Sequence, residues 1–307
     1  MTAALTRRFA TMGGEGSVHL ESDVAGSSRL AALADAVEEL FADVETALTP
    51  FRDDSELAAL NRDSRPQVAA SPLLAELARA ARRAAAQTRG LVDATVPVGT
   101  RPRPAARPDL DGLLAAAPPR RAARPADGWR ARQPSVDRDG RVCRPAGVTL
   151  DPGGLAKGIA ADRAAALMPR GVAYAIGCGG DLAAGGRRWE IGVDGVRGPG
   201  HIHRLQVDGG GVATSGIHAR AWRDADGTVS HHILDPATGR PAWTGLVAVT
   251  AVAACALDAE ILAKSAMLSG PQGARRLLQV RGGVLQHDDG TTEVLGGLRR
   301  ARLALAA

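Results

Sequence analysis

The chain has 307 residues, 45% of them hydrophobic, enough to bury the core of one large domain or of two closely packed ones. Aromatic residues make up only 3%, which excludes the stacking platforms that single-stranded nucleic acid requires, so no nucleic-acid partner is expected. The net charge of +5, from 38 Lys and Arg against 33 Asp and Glu, fits either a solvated arginine-rich surface or a field suited to a small polyanion.

In chain order, the first residues lead straight into a strand-like run with no apolar segment of the secretory type. No later run approaches the ~20 apolar residues of a membrane span, so a cytoplasmic protein without a membrane anchor is expected. Residues 8–21 read as one strand, with Met12-Gly13-Gly14 as a bend inside it. Leu30, Leu33, Val37, Leu40, Phe41 and Val44 fall at helical spacing and predict a helix over 29–47. A loop from Thr49 becomes a short helix capped by Asp54 or Ser55, and a third helix over about 72–88 stops at Gly90. Residues 97–128, rich in Pro and Arg, read as an irregular excursion with one short helix near 109–116. Strands are expected at 129–133, 141–150, 172–177, 188–194, 202–208, 211–214, 229–234 and 246–253. Helices follow at 155–168, 257–268 and 271–279, and strands at 283–287 and 291–295 close the chain. This mixture predicts an α+β fold of largely antiparallel sheets with flanking helices, in a single domain over 1–307. Cys143, Cys178 and Cys255 are odd in number and far apart, so neither a disulfide framework nor a zinc site follows.

Five segments carry chemistry. His231-His232-Ile233-Leu234-Asp235-Pro236-Ala237-Thr238-Gly239 gathers imidazole, carboxylate and hydroxyl around two turn-formers, as a loop presenting acid–base groups would. An ordinary hairpin with a surface His pair is the alternative. Asp151-Pro152-Gly153-Gly154-Leu155-Ala156-Lys157-Gly158 reads as a glycine turn opening a helix, whose free amides and Lys157 suit an anion. It does not match the phosphate-binding G-x-x-x-x-G-K-[ST] loop. Gly177-Cys178-Gly179-Gly180-Asp181, Val212-Ala213-Thr214-Ser215-Gly216 and Gly90-Leu91-Val92-Asp93-Ala94-Thr95 read as further glycine turns, each alone more often structural than functional.

Taken together and in this order, these segments resemble the FAD:protein FMN transferases, the ApbE family. The resemblance runs from Met12-Gly13 through Phe51-x-x-x-Ser55-Glu56-Leu57-x-x-x-Asn61 and Gly90-x-x-Asp93-x-Thr95. It continues through Asp151-x-Gly153-Gly154-x-Ala156-Lys157-Gly158-x-x-x-Asp162, Gly179-Gly180-Asp181, Thr214-Ser215-Gly216 and His232-x-x-Asp235-Pro236-x-Thr238-Gly239. It implies transfer of FMN from FAD to a Thr or Ser hydroxyl on a client flavoprotein carrying Asp-x-x-(Ser/Thr)-Gly-Ala-(Ser/Thr), with AMP leaving. An FAD- or nucleotide-binding paralogue without transfer is the alternative. The resemblance further implies that Met12, Phe51, Asp93, Asp151, Lys157, Thr214 and Ile233 line the FAD site. Phe51 stands where the family usually has tyrosine. His232 falls at the position of the catalytic histidine, and Asp235 would hold its loop or orient its ring; His231 is the weaker candidate.

The resemblance also implies a magnesium ion held by the Gly154 carbonyl, a carboxylate and a hydroxyl. Here the carboxylate position is Glu260, and Lys264 replaces the hydroxyl residue. Magnesium accepts a glutamate oxygen, but an ammonium cannot ligate it and repels it. Residues 260 and 264 are one helical turn apart, so they form either a surface ion pair or a charge that replaces part of the metal's. The 97–128 excursion lacks the aromatic residues that the family often carries near the flavin. Either the ring is less enclosed, or arginines contact the ADP portion.

Overall fold

A computed structural model describes residues 2–96, 109–224 and 226–296. Its frame is an eight-stranded sheet whose spatial order is also its chain order. The strands are Ala3–Thr11, Gly14–Ser22, Val172–Cys178, Asp181–Gly185, Gly210–Gly216, Leu246–Ala253, Gly283–His287 and Thr292–Leu295. Every neighbouring pair is antiparallel. Eight helices accompany the sheet among the described residues: α1 (Ser27–Leu48), α2 (Glu56–Arg62), α3 (Pro72–Gln87), α4 (Leu110–Ala115), α5 (Trp129–Arg132), α6 (Ala156–Ala166), α7 (Ala256–Leu268) and α8 (Gly270–Leu278). The fold is α+β, as the alternating helix and strand periods predict. None of these helices is long and apolar enough to cross a membrane.

Two cores meet at α7. Leu30, Ala34, Val37, Phe41 and Val44 of α1 pack with Leu57 and Leu60 of α2, Leu74 and Leu77 of α3, and Ile159 of α6. Ala259, Ala263 and Met267 of α7 pack instead with Trp243, Val247, Val249 and α8. Leu257 and Ile261, on another side of α7, belong to the first core. A helix apolar on nearly every side is buried on nearly every side, and α7 is therefore the wedge between the two halves. The other face of the sheet is covered by the hairpin Trp189–Asp194 and His201–Val207, through Val193, Leu205 and Val207 against Val212 and Val284.

The start of α7 is held by α6. Asp162 accepts from the Ala256 amide at 2.7 Å and from the Leu257 amide at 3.0 Å. A carboxylate on the unpaired first amides of a helix satisfies them and complements the helix dipole.

Several expected elements differ. The single strand over 8–21 is two strands, because Met12 and Gly13 both take positive φ (50° and 71°) and reverse the chain as a two-residue hairpin turn. Residues 129–132 form α5 rather than a strand, entered through Gly128 at φ 65°. Of the strand expected over 141–150 only Val142–Cys143 pairs in a ladder; beyond it the Arg144 amide donates to the Pro66 carbonyl at 2.8 Å and the Leu150 amide to the Asn61 side chain at 2.8 Å. The strand over 229–234 is broken at His232 into Val229–His231 and Leu234–Asp235. The strand expected over 211–214 is present and runs from Gly210 to Gly216, so the segment 212–216 is not a glycine turn, and Asp181–Gly185 is a strand that the glycines before it concealed.

Within the 97–128 excursion, 97–108 lie outside the described residues and α4 occupies the expected short helix. Residues 121–124 are irregular yet docked: Arg121 donates to the Trp243 carbonyl at 2.9 Å and Ala123 to the Leu268 carbonyl at 2.8 Å.

Because charge-assisted bonds to two amides anchor the central helix, Asp162→Ala should lower the unfolding free energy by about 1–3 kcal/mol. Urea denaturation at neutral pH checks this; an unchanged midpoint would mean that packing alone sets the start of α7.

Candidate active site

The turn at 151–155 is built by contacts from distant segments. The Asn61 amide of α2 bonds both backbone groups of Leu150, donating to its carbonyl and accepting from its amide, each at 2.8 Å. Ser55 caps α2 through the Ala58 amide, which fixes where Asn61 points. The Asp151 amide donates to the Ala94 carbonyl at 2.8 Å. Ala94 is in turn held by Asp93, whose buried carboxylate accepts from the Thr95 amide and hydroxyl, from Gln133 and from Arg132. The Asp151 carboxylate then accepts from the Gly153 amide at 2.7 Å, closing the turn. Burial pushes its pKa up against the opposing charges of Lys264 and Arg220.

α7 supplies the facing wall. Buried Glu260 accepts from the Gly158 amide in the first turn of α6 at 2.8 Å, while its other oxygen lies 3.6 Å from the Lys157 ammonium. That second oxygen has no hydrogen-bond partner. Lys157 also pairs with Asp181, which emerges from the second glycine turn and accepts from the Thr214 amide at 3.1 Å. The Thr214 hydroxyl lies 2.8 Å from that of Thr250. One helical turn beyond Glu260, the Lys264 ammonium donates to the Gly153 carbonyl at 2.6 Å. Residues 151–158, 179–181, 214 and 260–264 thus converge on one place.

His232 reaches the same place from the break between two strands. Its Nδ1 lies 3.4 Å from the Arg220 carbonyl oxygen. A carbonyl only accepts, so Nδ1 carries the proton and Nε2 keeps a lone pair. Burial, followed by the charges of Arg220, His231 and Lys264, holds the His232 pKa well below the ordinary histidine value. The imidazole is therefore neutral at pH 7 and able to take a proton. His231 points into the core, edge-on to Trp243 at 4.5 Å, and accepts from the Ile233 amide at 3.2 Å. Asp235 accepts from the Arg124 and Ala237 amides at 3.1 and 3.0 Å, holding the loop rather than the ring.

The model of the ApbE family matches residues 12–286. An FAD:protein FMN transferase of Klebsiella pneumoniae (strain 342) is 28% identical over 256 residues, covering 76% of this chain and 70% of that protein. The protein of the same name from Escherichia coli (strain K12) is 32% identical over 137 residues, covering 42% of this chain and 39% of that protein. The crystal structure of the ApbE protein of Thermotoga maritima superposes with a TM-score of 0.76 at 25% identity, covering 95% of this chain and 97% of that one. The apo flavinyl transferase ApbE of Pseudomonas stutzeri gives 0.72 at 25% identity, covering 96% and 95%. This chain belongs to the ApbE family.

Not every residue expected in an ApbE site stands in the converging cluster. Met12 is at the tip of the N-terminal hairpin, beside it: Thr11 accepts from the Cys178 thiol and Glu15 from the Gly179 amide. Phe51 is 58% exposed on the loop before α2. The Ile233 side chain is in the core. Arg220 was missed altogether, since no motif includes it; its carbonyl orients His232 and its charge reaches Asp151. Two cavities of about 180 and 430 Å³, one beside Arg197 and His287 and the other beside Tyr174 and Cys255, contain none of the turn residues.

The donor set does not fit magnesium, which demands an octahedron of oxygens at about 2.0–2.1 Å. Glu260 has already given one oxygen to an amide and turns the other toward an ammonium. A second ammonium, that of Lys264, fills the turn beside Gly154. Among the described residues no group of three or more His, Cys, Asp or Glu side chains is arranged to hold a metal ion.

The buried His231 has its pKa pushed down to about 3 by desolvation. As pH falls from 6.5 toward 3, the unfolded chain takes up a proton that the folded ring refuses, so stability is lost across that window. The slope is about 1.4 kcal/mol per pH unit for one such group. Urea midpoints measured from pH 7 to 5 should fall less steeply in His231→Phe than in the wild-type chain, and parallel curves would contradict the assignment.

Proposed function

We infer that this chain is an FAD:protein FMN transferase, moving FMN from FAD onto a threonine or serine hydroxyl of a client flavoprotein and releasing AMP. The observation that carries the reading is the convergence of a neutral imidazole, His232, with the ammonium of Lys264 and the charge of Arg220 beside the Asp151 turn. The family membership and the name shared by the curated relatives support it.

In this reading His232 Nε2 takes the proton of the client hydroxyl as its oxygen bonds to the phosphorus of the FMN half. The bond from that phosphorus to the bridging oxygen breaks, and AMP leaves with the oxygen. The transition state spreads negative charge over phosphoryl oxygens, so catalysis is mainly positioning and charge neutralisation. Lys157, held by Asp181 and Glu260, and Lys264, held by Gly153, supply fixed rather than mobile cations. Met12, Phe51, Asp151 and Lys157 line the FAD. Asp93, Thr214 and Ile233 hold the segments that carry Asp151, Asp181 and His232. The client is recognised through an Asp-x-x-(Ser/Thr)-Gly-Ala-(Ser/Thr) segment.

Lys264 favours a second reading, in which the site holds FAD without transferring from it. Mass spectrometry of a client flavoprotein incubated with this chain and FAD separates the two. A gain of one FMN on the hydroxyl of the client segment is expected, whereas bound FAD with an unmodified client would favour the second.

With His232→Ala, transfer should fall by about 10²–10⁴-fold while FAD affinity is kept, since a proton acceptor acts on the transition state more than on ground-state binding. Equal collapse of FAD affinity would make His232 a binding residue.

A further inference from the structure

We propose that Lys264 is a resident cation of the FAD diphosphate site, occupying the turn in place of a divalent metal, so that this chain binds FAD without one. The inference rests on the reading of the site as an FAD site. Its basis is the way the turn is shaped around the lysine arm. Gly154 takes φ 104°, and a Cβ added there would meet Lys264 Cδ and Nζ at 2.7 Å. The arm therefore lies against the backbone of residue 154, and its ammonium bonds the carbonyl of residue 153 at 2.6 Å.

The charges around Lys264 match that role. Burial pulls the Lys264 pKa below the ordinary lysine value, the carboxylates of Asp151 and Glu260 oppose that, and Glu260 also lies 3.6 Å from the Lys157 ammonium. The unpartnered oxygen of Glu260 lies 3.6 Å from the Lys157 ammonium, so a cation already stands beside the one carboxylate oxygen left for a metal. A divalent ion placed in the turn would meet Lys264 at close range and find Glu260 half committed to the Gly158 amide. A diphosphate meets the opposite situation: an ammonium already fixed in position, with no ion to recruit. Lysine serves this purpose as a point charge whose remaining protons can turn toward phosphate oxygens.

FAD titration of the whole chain with a chelator, and separately with excess magnesium, tests the proposal. Wild type should bind FAD with the same affinity, within about twofold, in both conditions. In Lys264→Thr, affinity in chelator should fall by about tenfold or more, with magnesium restoring much of it, because a hydroxyl then faces the turn. Direct Mn²⁺ binding, read by electron paramagnetic resonance, should appear in Lys264→Thr and not in wild type. If chelation weakens FAD binding to wild type by tenfold, the proposal is wrong. That arm uses only the native chain, so a variant that fails to fold leaves the test intact. Wild type that binds no FAD in either condition would instead overturn the proposed function, and metal-dependent binding would overturn only this inference.

Discussion

The site depends on one buried carboxylate. Glu260 lies on α7, a helix otherwise given over to Ala, Leu, Ile and Met, and it is 2% exposed. A charge in such surroundings costs several kcal/mol unless bonds and counter-charges offset it. The Gly158 amide and the Lys157 ammonium do so, and both belong to the start of α6. Satisfying Glu260 therefore fixes α6 against α7. That in turn fixes the 151–155 turn, from which α6 grows, beside Lys264. The same carboxylate consumes an amide that a free helix start would offer to an anion, so anion binding in this turn falls to side-chain ammoniums.

Close approach makes the pairing possible. A Cβ on Gly158 would lie 2.6 Å from the Leu257 Cα, so only glycine lets the two helices touch at that level. Asp162, one turn further along α6, then reaches the amides that open α7. The helices are thus joined by two carboxylates pointing in opposite senses, Asp162 from α6 to α7 and Glu260 from α7 to α6. Around this pair the remaining segments are tied by the side-chain amide of Asn61 to the Leu150 backbone and by backbone bonds from Asp151 to Ala94 and from Gly179 to Glu15. These ties join motifs that are short and far apart in the chain.

The histidine pair shows how two adjacent residues acquire different chemistry. His231 and His232 straddle a strand end, so their rings leave the backbone on opposite sides. One ring packs against Trp243 inside the core and is inert. The other bonds the Arg220 carbonyl at the edge of the site and keeps its outer nitrogen as an acceptor. Asp235 and the 121–124 segment brace the loop between them.

Sequence alone determined every described helix but α5, most strands of the sheet and the family, because hydrophobic period and glycine or proline punctuation are local properties that survive without neighbours. It also exposed the departure at residues 260 and 264, since a helix places them one turn apart whatever surrounds it. It misread the Met12-Gly13 reversal and the strand over 181–185, and it read 212–216 as a turn as well as, over 211–214, a strand, because glycine signals both equally well. Only the tertiary structure decided what the charges do. Asn61 and Leu150 are 89 residues apart, Glu260 and Gly158 are 102, and Arg220 falls in no motif. Whether Lys264 faces solvent or Gly153 depends on how closely α7 approaches the turn, and that distance is set by packing, which no local pattern encodes.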